Sequence, residues 1–368
     1  MQTFPTHPDE LTTDWLTSIF HAGGHLGENR QITEFESHTI GEGLSLLGLV
    51  QRVTLTSSPG DGPEAPGSVV IKFAHPLEEN RAIAMNTRMY EREIDFFEHL
   101  APHVDMRLTE YYHGAIDVET GLNAVVIEDL ATYRPGDQVA GIDADEARLI
   151  IDSFAPLNAA FWDRCDQPLL DNCMRIDTSY VEPFLPGVFA TWERCRELFS
   201  DQITDDVLAA LPAYVDALRD LHRMMGARTQ TLVHGDVRLD NVMFGQRPDE
   251  DPVVLIDWQA VMVSNPMQDV AYMLSQSMDT DIRRAHEDDL IAYYCEQVTG
   301  LGVERYTFEQ ARADYDIAVL WIMAYPLIIG GAFDPANERG LALAQTVLQR
   351  STQTVTDRNL LSILEGAS

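Results

Sequence analysis

The chain has 368 residues, a hydrophobic fraction of 45% and a formal net charge of −34 at pH 7. This length accommodates two domains, or two lobes around one cleft, with sizeable apolar cores. Such an excess of acidic groups argues against nucleic acid and anionic membranes as partners, because both bind basic surfaces. The four cysteines form no Cys-x-x-Cys pair, and the chain does not start with a basic segment followed by an apolar one. We therefore expect reduced thiols, no signal peptide and a cytoplasmic location.

The first 128 residues predict a small lobe rich in β-structure. Residues 11–20 form an amphipathic pattern typical of a helix, and Thr12 offers a cap for it. Apolar and β-branched runs bounded by Gly, Pro and Asp predict five strands. The predicted strands cover residues 32–40, 49–56, 69–73, 109–117 and 123–128. Residues 85–100 predict a single helix between the third and fourth strands.

A glycine-rich turn follows the first predicted strand, with the sequence GEGLSLLG beginning at Gly41. Glycine lets a backbone approach phosphate groups closely, so Gly41, Gly43 and Ser45 are candidate nucleotide-binding residues. An ordinary hairpin turn is the alternative, because hairpins also use glycine. A dinucleotide-binding turn is excluded, because the residues that follow predict a strand and not a helix. The last glycine lies two positions later than in the protein-kinase pattern Gly-x-Gly-x-x-Gly.

Lys72, in the third predicted strand, is the only lysine of the chain. A general replacement of lysine by arginine explains why lysine is rare, but not why one remains. A compact ammonium suits a point contact with the α- and β-phosphates of a nucleotide better than a planar guanidinium does. A lysine that reaches from an edge strand into water is the alternative. Glu91, Glu93 and Glu98 in the next predicted helix are candidate partners for Lys72.

The most informative stretch is residues 231–259, which holds three polar groups at the ends of short apolar runs. Asp236 follows a His-Gly pair, Asn241 comes five residues later, and Asp257 ends a second apolar run. The pattern predicts strands and a hairpin, with residues 246–252 as the turn. Asp and Asn favour loops even without a function. The complete series of His-Gly-Asp-x4-Asn, strand, turn, strand and Asp-Trp is much harder to obtain by chance.

This spacing predicts phosphoryl transfer. Mg²⁺ prefers oxygen ligands and keeps several waters, so Asn241 and Asp257 suffice as its protein ligands. Asp236 would orient an acceptor hydroxyl and take its proton, which leaves late in a loose transition state.

Three further charged residues lie near these groups. Arg238 would neutralise developing charge on the γ-phosphate, and a salt bridge at the loop surface is the alternative. Asp240 is interpreted as a solvated loop residue. Asp269 precedes an apolar helical run and is interpreted as its cap.

The motifs HGDVRLDN at residues 234–241 and IDWQ at residues 256–259 resemble those of the aminoglycoside phosphotransferase and choline kinase group of kinase-like enzymes. The Asp-Trp-Gln form, with Glu-Asp-Leu at residues 128–130, looks closest to the ecdysteroid kinase-like branch. The resemblance implies an α+β, two-lobed protein-kinase-like fold, with a β-rich lobe of residues 1–128 and a helical lobe of residues 129–368. It also implies ATP and Mg²⁺ as cofactors and a hydroxyl group of a small molecule as the acceptor.

The same resemblance assigns individual residues. Glu93 matches the family's helix motif and is therefore the predicted partner of the single lysine. Glu128 and Leu130 flank the predicted hinge, where backbone groups would meet adenine. Asp269 is implied to orient the catalytic loop. Relatives often carry Leu-His-Ala where this chain has Leu-Asn-Ala around Asn158, so we expect a different hydrogen bond there.

From residue 143 onward the pattern is mostly helical. Predicted helices cover residues 146–162, 205–225, 288–298, 308–325 and 341–364. The apolar run of residues 317–333 predicts a buried helix broken near Pro326, because it is short for a membrane span. Trp321 and Tyr325 would line either the acceptor pocket or the core.

Two other functions are compatible with parts of the sequence. A nucleotide-binding pseudokinase with a regulatory or scaffold role is the alternative, since the displaced glycine and Asn158 depart from the family pattern. A protein kinase is disfavoured, because no Ala-Pro-Glu follows Asp257. The sequence does not name the acceptor, and aminoglycosides, amino alcohols, sugars and sterol-like alcohols all fit.

Overall fold

The computed structural model describes residues 4–40, 48–171, 173–176, 181–332 and 337–366. The candidate phosphate-binding residues Gly41, Gly43 and Ser45 lie outside the described residues. The chain divides into two compact units. The first unit comprises Met1–Pro102 and Leu108–Thr132, and the second comprises His103–Arg107 and Tyr133–Ser368.

The first unit is built on one sheet of five antiparallel strands. The strands are β1 (Ile32–Ile40), β2 (Gly48–Ser57), β3 (Ser68–Ala74), β4 (Tyr111–Ile116) and β5 (Asn123–Glu128). Their order across the sheet is β1-β2-β3-β5-β4, so the lysine strand β3 lies in the centre. The five predicted strands are confirmed, with their ends displaced by at most two residues.

One face of this sheet packs on the first helix, α1 (Thr13–Ala22), as the amphipathic pattern predicts. The Thr12 hydroxyl caps the helix by accepting a hydrogen bond from the Trp15 backbone N–H at 3.1 Å. The buried core between helix and sheet includes Leu16, Ile19, Phe20, Val53, Val69, Ile71 and Phe73. Because side chains alternate along a strand, burial of residues 69, 71 and 73 directs Lys72 to the opposite face of β3.

The prediction of one helix over residues 85–100 is wrong. The structure has α2 (Glu78–Asn86), α3 (Met89–Asp95) and a π-helical turn (Phe96–Leu100). Arg88 separates the first two helices with a left-handed backbone, at φ 53°. This conformation is unfavourable for a residue with a Cβ. An ion pair between Arg88 and Glu91 at 2.6 Å stabilises the start of α3.

The second unit is mainly helical. Its helices are α4 (Ala144–Phe161), α5 (Val181–Leu198), α6 (Asp205–Gly226), α7 (Met267–Ser277), α8 (Thr280–Gly300), α9 (Phe308–Ile322), α10 (Ala324–Ala332), α11 (Glu338–Asp357) and α12 (Leu361–Gly366). The helices predicted at residues 146–162 and 205–225 are confirmed as α4 and α6. Helix α5, which contains Pro186, is not among the predicted helices. The prediction of one helix over residues 341–364 is wrong, because Asn359 in a left-handed conformation separates α11 from α12.

Two small sheets join the helices of the second unit. The first has the order β10-β9-β6, with β6 (Arg134–Pro135), β9 (Val242–Phe244) and β10 (Val253–Leu255). The second has the order β7-β11-β8, with β7 (Met174–Arg175), β8 (Thr231–Val233) and β11 (Met262–Ser264). The predicted hairpin around residues 246–252 is confirmed as the antiparallel pair β9 and β10.

The most apolar part of the chain is the pair α9 and α10. By length and composition alone, Phe308–Ala332 is the one stretch of the described residues that could cross a membrane, but most of it is buried inside the protein. Packing in the core accounts for this apolar composition. The break lies at Met323, three residues before Pro326, which itself stands inside α10. Trp321 is fully buried, as expected for a core residue.

Candidate functional site

The loop after β8 turns sharply at Gly235, which has a positive φ of 84°. A Cβ added at this position would lie 2.3 Å from the carbonyl oxygen of Ala260. Both the backbone conformation and the close approach therefore require glycine. The turn separates His234, which is fully buried, from the partly exposed Asp236.

Asp269 fixes this turn from the first turn of α7. Its carboxylate accepts hydrogen bonds from the backbone N–H groups of His234 at 2.8 Å and Gly235 at 2.9 Å. Pro266 and not Asp269 is the N-cap residue of α7, so the interpretation of Asp269 as a helix cap is wrong. The geometry matches the loop-orienting role that the family resemblance implies. Burial raises the pKa of Asp269 to about 7, while the two N–H donors oppose the rise and the Asp236 charge adds to it.

The Asn241 side chain is oriented by Asp236. Its Nδ2 donates to the Asp236 carbonyl at 3.0 Å and to Asp236 Oδ2 at 2.9 Å. These two acceptors determine which end of the amide carries the nitrogen. Among the described residues, nothing donates a hydrogen bond to Asn241 Oδ1. The buried amide therefore keeps one oxygen available for a cation or another donor.

Asp257 follows the residue that pairs with Asn241 at the end of the hairpin. The Ile256 N–H donates to the Asn241 carbonyl at 3.0 Å, which aligns the residue before Asp257 with Asn241. Asp257 has a left-handed backbone, at φ 68° and ψ 73°. Such a conformation is unfavourable for a non-glycine residue and clusters at functional sites. The next residue, Trp258, is buried with its ring 4.6 Å from that of His234.

These oxygen donors fit Mg²⁺ better than a metal that needs a full set of protein ligands. No group of three or more His, Cys, Asp or Glu side chains in the described part of the chain could hold a metal ion. Asn241 and Asp257 supply one amide oxygen and one carboxylate. Mg²⁺ is commonly held by one or two protein ligands together with water and substrate phosphates. The pair therefore suits a magnesium–nucleotide complex.

Arg238 is paired with the proposed base and is not a free surface group. Its Nε lies 3.5 Å from Asp236 Oδ2, and this carboxylate raises the pKa of Arg238 further above its usual value. Asp240 is only partly exposed and lies 3.6 Å from Arg339, so its interpretation as a solvated residue is wrong. Burial raises the pKa of Asp240 against the opposing charges of Arg238 and Arg339.

Asn158 stands where the family often has histidine, and both polar atoms of its side chain are hydrogen-bonded. Its Nδ2 donates to the Leu232 carbonyl at 2.8 Å, and its Oδ1 accepts from the Tyr294 hydroxyl at 2.8 Å. The Thr231 hydroxyl donates to the Asn158 carbonyl at 2.5 Å. Asn158 thus ties α4 and α8 to β8, the strand that leads into the loop of residues 234–241. The expected different hydrogen bond is confirmed.

In the first unit, Lys72 and Glu93 form an ion pair. Lys72 Nζ lies 2.6 Å from Glu93 Oε1, and the Glu93 side chain is 2% exposed. The other candidate acids have other partners: Glu91 pairs with Arg88, and Glu98 accepts a hydrogen bond from a tyrosine hydroxyl. The predicted pairing of Lys72 with Glu93 is therefore confirmed.

The predicted hinge contains a buried acid for which the motif predicts no side-chain role. Asp129 lies between Glu128, the last residue of β5, and the buried Leu130. Its carboxylate accepts a hydrogen bond from Ser68 Oγ at 2.7 Å and pairs with Arg52 Nε at 2.9 Å. Its side chain is 2% exposed, so it fixes the end of β5 to β2 and β3. Its sequence signals are the Glu-Asp-Leu motif and its place at the end of a strand.

An aromatic cluster occupies the helical unit near α7. The Tyr325 ring lies 4.9 Å from Phe184 and 5.4 Å from Tyr272, and Phe184 lies 5.2 Å from Trp321. Trp321 is therefore a core residue, whereas Tyr325 and Phe184 are partly exposed. The Tyr272 hydroxyl contributes to raising the pKa of Arg238, and Tyr272 lies on α7, whose Asp269 accepts the Gly235 N–H.

Comparison with known proteins gives a family and a fold. The profile of the ecdysteroid kinase-like family matches residues 43–301. The chain resembles a microcompartment-associated aminopropanol kinase at 12% identity and a TM-score of 0.57, over 94% of this chain and 97% of that chain. It resembles choline kinase from Cryptosporidium parvum Iowa II at 10% identity and a TM-score of 0.55, over 97% and 99%. It also resembles a GDP complex of wild-type aminoglycoside 2'-phosphotransferase-IIIa at 13% identity and a TM-score of 0.53, over 93% of this chain and 98% of that chain.

At these identities, the structural likeness shows the fold alone. The predicted α+β, kinase-like fold class is confirmed, with a β-rich N-terminal portion and a helical C-terminal portion. A curated protein of Caenorhabditis elegans, described as uncharacterized oxidoreductase dhs-27, is 34% identical over 97 residues. That match covers 25% of this chain and only 12% of the relative, so it carries no conclusion about a shared activity.

Proposed function

Because the chain belongs to the ecdysteroid kinase-like family, we propose that it transfers the γ-phosphate of ATP to a hydroxyl group of a small molecule. The observation that carries this proposal is the arrangement of Asp236 and Asn241. The amide nitrogen of Asn241 holds the Asp236 carboxylate at 2.9 Å, while its oxygen stays available as a ligand. One side chain thus orients a base and offers a ligand for a cation, which phosphoryl transfer needs together.

Each residue of the loop has a distinct task in this proposal. Asp236 accepts a hydrogen bond from the acceptor hydroxyl, aligns it and takes its proton late in the reaction. Asn241 and Asp257 would hold Mg²⁺. Arg238, already paired with Asp236 at 3.5 Å, would balance negative charge that develops on the transferred group. Bound magnesium–ATP would supply the phosphoryl group and neutralise charge on its leaving phosphates.

The residues of the first unit would bind the nucleotide. Lys72, held by Glu93 at 2.6 Å, would contact the α- and β-phosphates. The backbone of Gly41, Gly43 and Ser45 would approach the phosphates, and backbone groups of Glu128 and Leu130 would meet adenine.

A panel assay tests the proposal. ADP or GDP release would be measured with magnesium–ATP or magnesium–GTP across aminoglycosides, amino alcohols, sugars and sterol-like alcohols. Asp236→Asn removes the base, and Asp249→Asn makes the same chemical change at a side chain that is 80% exposed on the hairpin turn. We expect one acceptor class to stimulate release in the wild type and in Asp249→Asn, but not in Asp236→Asn.

The alternative outcomes separate the functions. A pseudokinase would be favoured if the wild type binds nucleotide but no acceptor stimulates turnover. Asp236→Asn would then bind nucleotide as the wild type does. The hydrogen bonds at both polar atoms of the Asn158 side chain weaken one of the two reasons for that alternative. A protein whose melting temperature responds to neither nucleotide would contradict the proposal itself.

The single lysine offers an independent test of the nucleotide site. An acyl-phosphate derivative of ATP acylates a lysine that lies near its phosphates. Since Lys72 is the only lysine in the chain, mass spectrometry would assign the product without ambiguity. We expect Lys72 to be acylated and magnesium–ATP to protect it. Labelling that is equally fast with and without magnesium–ATP would exclude Lys72 from the site.

A further inference from the structure

Residues 134–136, near the start of the second unit's main segment, pack against the hairpin of β9 and β10 that follows Asn241. Strand β6 pairs with β9, and the Gly136 N–H donates to the Val242 carbonyl at 2.8 Å. A Cβ added at Gly136 would lie 2.3 Å from the carbonyl oxygen of Leu239. This distance leaves room only for glycine, so residues 134–136 lie in direct contact with the backbone between Asp236 and Asn241.

Gln138, two residues further, makes a side-chain bond to the same loop. Its Oε1 accepts a hydrogen bond from the Leu239 N–H at 2.7 Å. Leu239 begins the short 3-10 helix Leu239–Asn241, and the preceding Arg238 gives it no side-chain cap. The first N–H groups of a helix lack partners within the helix. Gln138 supplies the missing acceptor from a position 101 residues earlier in the chain.

Both ends of the Gln138 side chain are held in place. Its Nε2 donates to the Gln276 carbonyl at 2.9 Å and lies 3.1 Å from the Ser277 hydroxyl. Gln138 is buried, with only 3% of the residue exposed. An amide with its donor and its acceptor bound at once cannot rotate freely. The last turn of α7 therefore determines where the acceptor of Gln138 lies.

Arg350 of α11 holds the backbone of Gln138. Its Nη1 donates to the Gln138 carbonyl at 2.8 Å, and its Nη2 donates to the Val139 carbonyl at 3.2 Å. Arg350 is 6% exposed, and burial lowers its pKa although Asp279 lies 3.6 Å away. A buried arginine committed to backbone carbonyls fixes their positions, because these bonds are charge-assisted.

We propose that Gln138 is a positioning residue for phosphoryl transfer, and this inference rests on the proposed function of the loop. Its bond to Leu239 fixes the helical turn that ends at Asn241. Asn241 in turn holds the Asp236 carboxylate through Nδ2 at 2.9 Å. The Gln138 side chain makes no described contact with Asp236 or Asp257, so it acts through Asn241 and not on the reactants.

Two substitutions separate the parts of the Gln138 side chain. Gln138→Met keeps the length but removes the acceptor and the donor. Gln138→Glu keeps an oxygen acceptor for the Leu239 N–H and removes the donor to Gln276. Gln310→Met is the matched control, because Gln310 Oε1 also accepts a backbone N–H at the start of a helix, from Thr307 at 3.0 Å. Gln310 is exposed and lies on α9.

Turnover and hydrogen exchange would be measured below the unfolding temperature of every variant. We expect Gln138→Met to lower kcat about tenfold, because the buried bond to the Leu239 N–H is lost, with the nucleotide KM within about twofold of the wild type. Gln138→Glu should recover part of this loss, and Gln310→Met should keep the wild-type kcat. Deuterium exchange in the peptide covering residues 236–244 should be several-fold faster in Gln138→Met than in Gln310→Met.

Some results would overturn this role. A wild-type kcat per folded molecule in Gln138→Met, or an equal loss in Gln310→Met, would show that the side chain serves stability alone. An effect only on the nucleotide KM would also count against it. Hydrogen exchange makes the test independent of turnover. If the wild type transfers no phosphate, the proposed function is wrong. If deuterium exchange in residues 236–244 is equally fast in Gln138→Met and Gln310→Met, the positioning role alone is wrong.

Discussion

The substitution Asp269→Asn tests how the protein holds the turn at Gly235 in the proposed catalytic loop. The Asp269 carboxylate accepts two backbone N–H bonds, at 2.8 and 2.9 Å, and is fully buried. Asparagine offers one oxygen to these two donors and turns an N–H group towards the other. The pKa of Asp269 is raised by burial from 3.8 to about 7, although the two N–H donors oppose the rise. Protonation of the Asp269 carboxylate and its replacement by asparagine should therefore both weaken its hydrogen bonds to the loop.

The sign of the pH dependence follows from this shift. Between about pH 5 and about pH 8 the unfolded chain carries an ionised carboxylate throughout, whereas the folded protein loses its proton near pH 7. The folded state therefore binds more protons, and stability falls as the pH rises towards 7. The loss amounts to roughly 3 kcal/mol over this range. The Asn variant cannot titrate at this position, so its stability lacks this component.

Urea unfolding of the nucleotide-free protein, followed by tryptophan fluorescence, would measure this difference at the two pH values. We expect the stability of the wild type, minus that of Asp269→Asn, to fall by roughly 3 kcal/mol from about pH 5 to about pH 8. Asp249→Asn, at an exposed acid, should show no such change. Turnover at the higher pH should be at least tenfold lower in Asp269→Asn. Parallel pH curves for the wild type and Asp269→Asn would refute the reasoning.

Three further substitutions test single contacts. Gly235→Ala places a Cβ 2.3 Å from the Ala260 carbonyl oxygen at a positive φ, so it should cost at least about 2 kcal/mol in urea unfolding and abolish most turnover. Tyr294→Phe removes the buried donor to Asn158 Oδ1 and should cost about 1–2 kcal/mol in the same measurement. Lys72→Arg keeps the charge but should lower kcat at least about tenfold, because a guanidinium does not reproduce the point contact of an ammonium with phosphate.

The chain offers a matched control for the first two substitutions. Gly302 has a positive φ of 96°, and apart from its chain neighbours no atom of the described residues lies within 4 Å of the place that a Cβ would occupy, so Gly302→Ala isolates backbone strain. An equal cost at Gly235 and Gly302 would contradict the role of the close approach. Tyr293→Phe removes a hydroxyl bonded to Asp152 at the outer face of the same helix. If Tyr293→Phe costs as much stability as Tyr294→Phe, burial does not strengthen the hydrogen bond to Asn158.

A wild-type kcat in Lys72→Arg would contradict the role of Lys72 at the phosphates.

Local patterns predicted much of the fold. The five strands of the first unit are apolar runs with clear turn residues at their ends, and their prediction is confirmed. The break between α2 and α3 escaped prediction, because Arg88 adopts a left-handed backbone that its residue type does not favour. The helix α5 escaped because Pro186 argues against a helix interior, although it lies inside one here.

Some residues of the candidate site could be predicted from the sequence, and others only from the structure. Asp236, Asn241 and Asp257 stand in one motif whose spacing carries chemical meaning, so sequence alone could select them. Asp269 was visible as an acid at a helix start, but only the fold shows that its carboxylate accepts two loop N–H groups. Gln138 belongs to no motif, because its contact with Leu239 joins residues 101 positions apart.

The most direct test of phosphoryl transfer is a phosphorus NMR spectrum of the whole reaction. Magnesium–ATP, an acceptor that stimulates nucleotide turnover and catalytic amounts of the protein would be incubated until ATP is consumed. The proposed function predicts that the γ-phosphate signal is replaced by that of a phosphate monoester of the acceptor, and that Asp236→Asn forms none. Release of inorganic phosphate alone, or equal ester formation by Asp236→Asn, would contradict the assignment of this loop as the site of transfer.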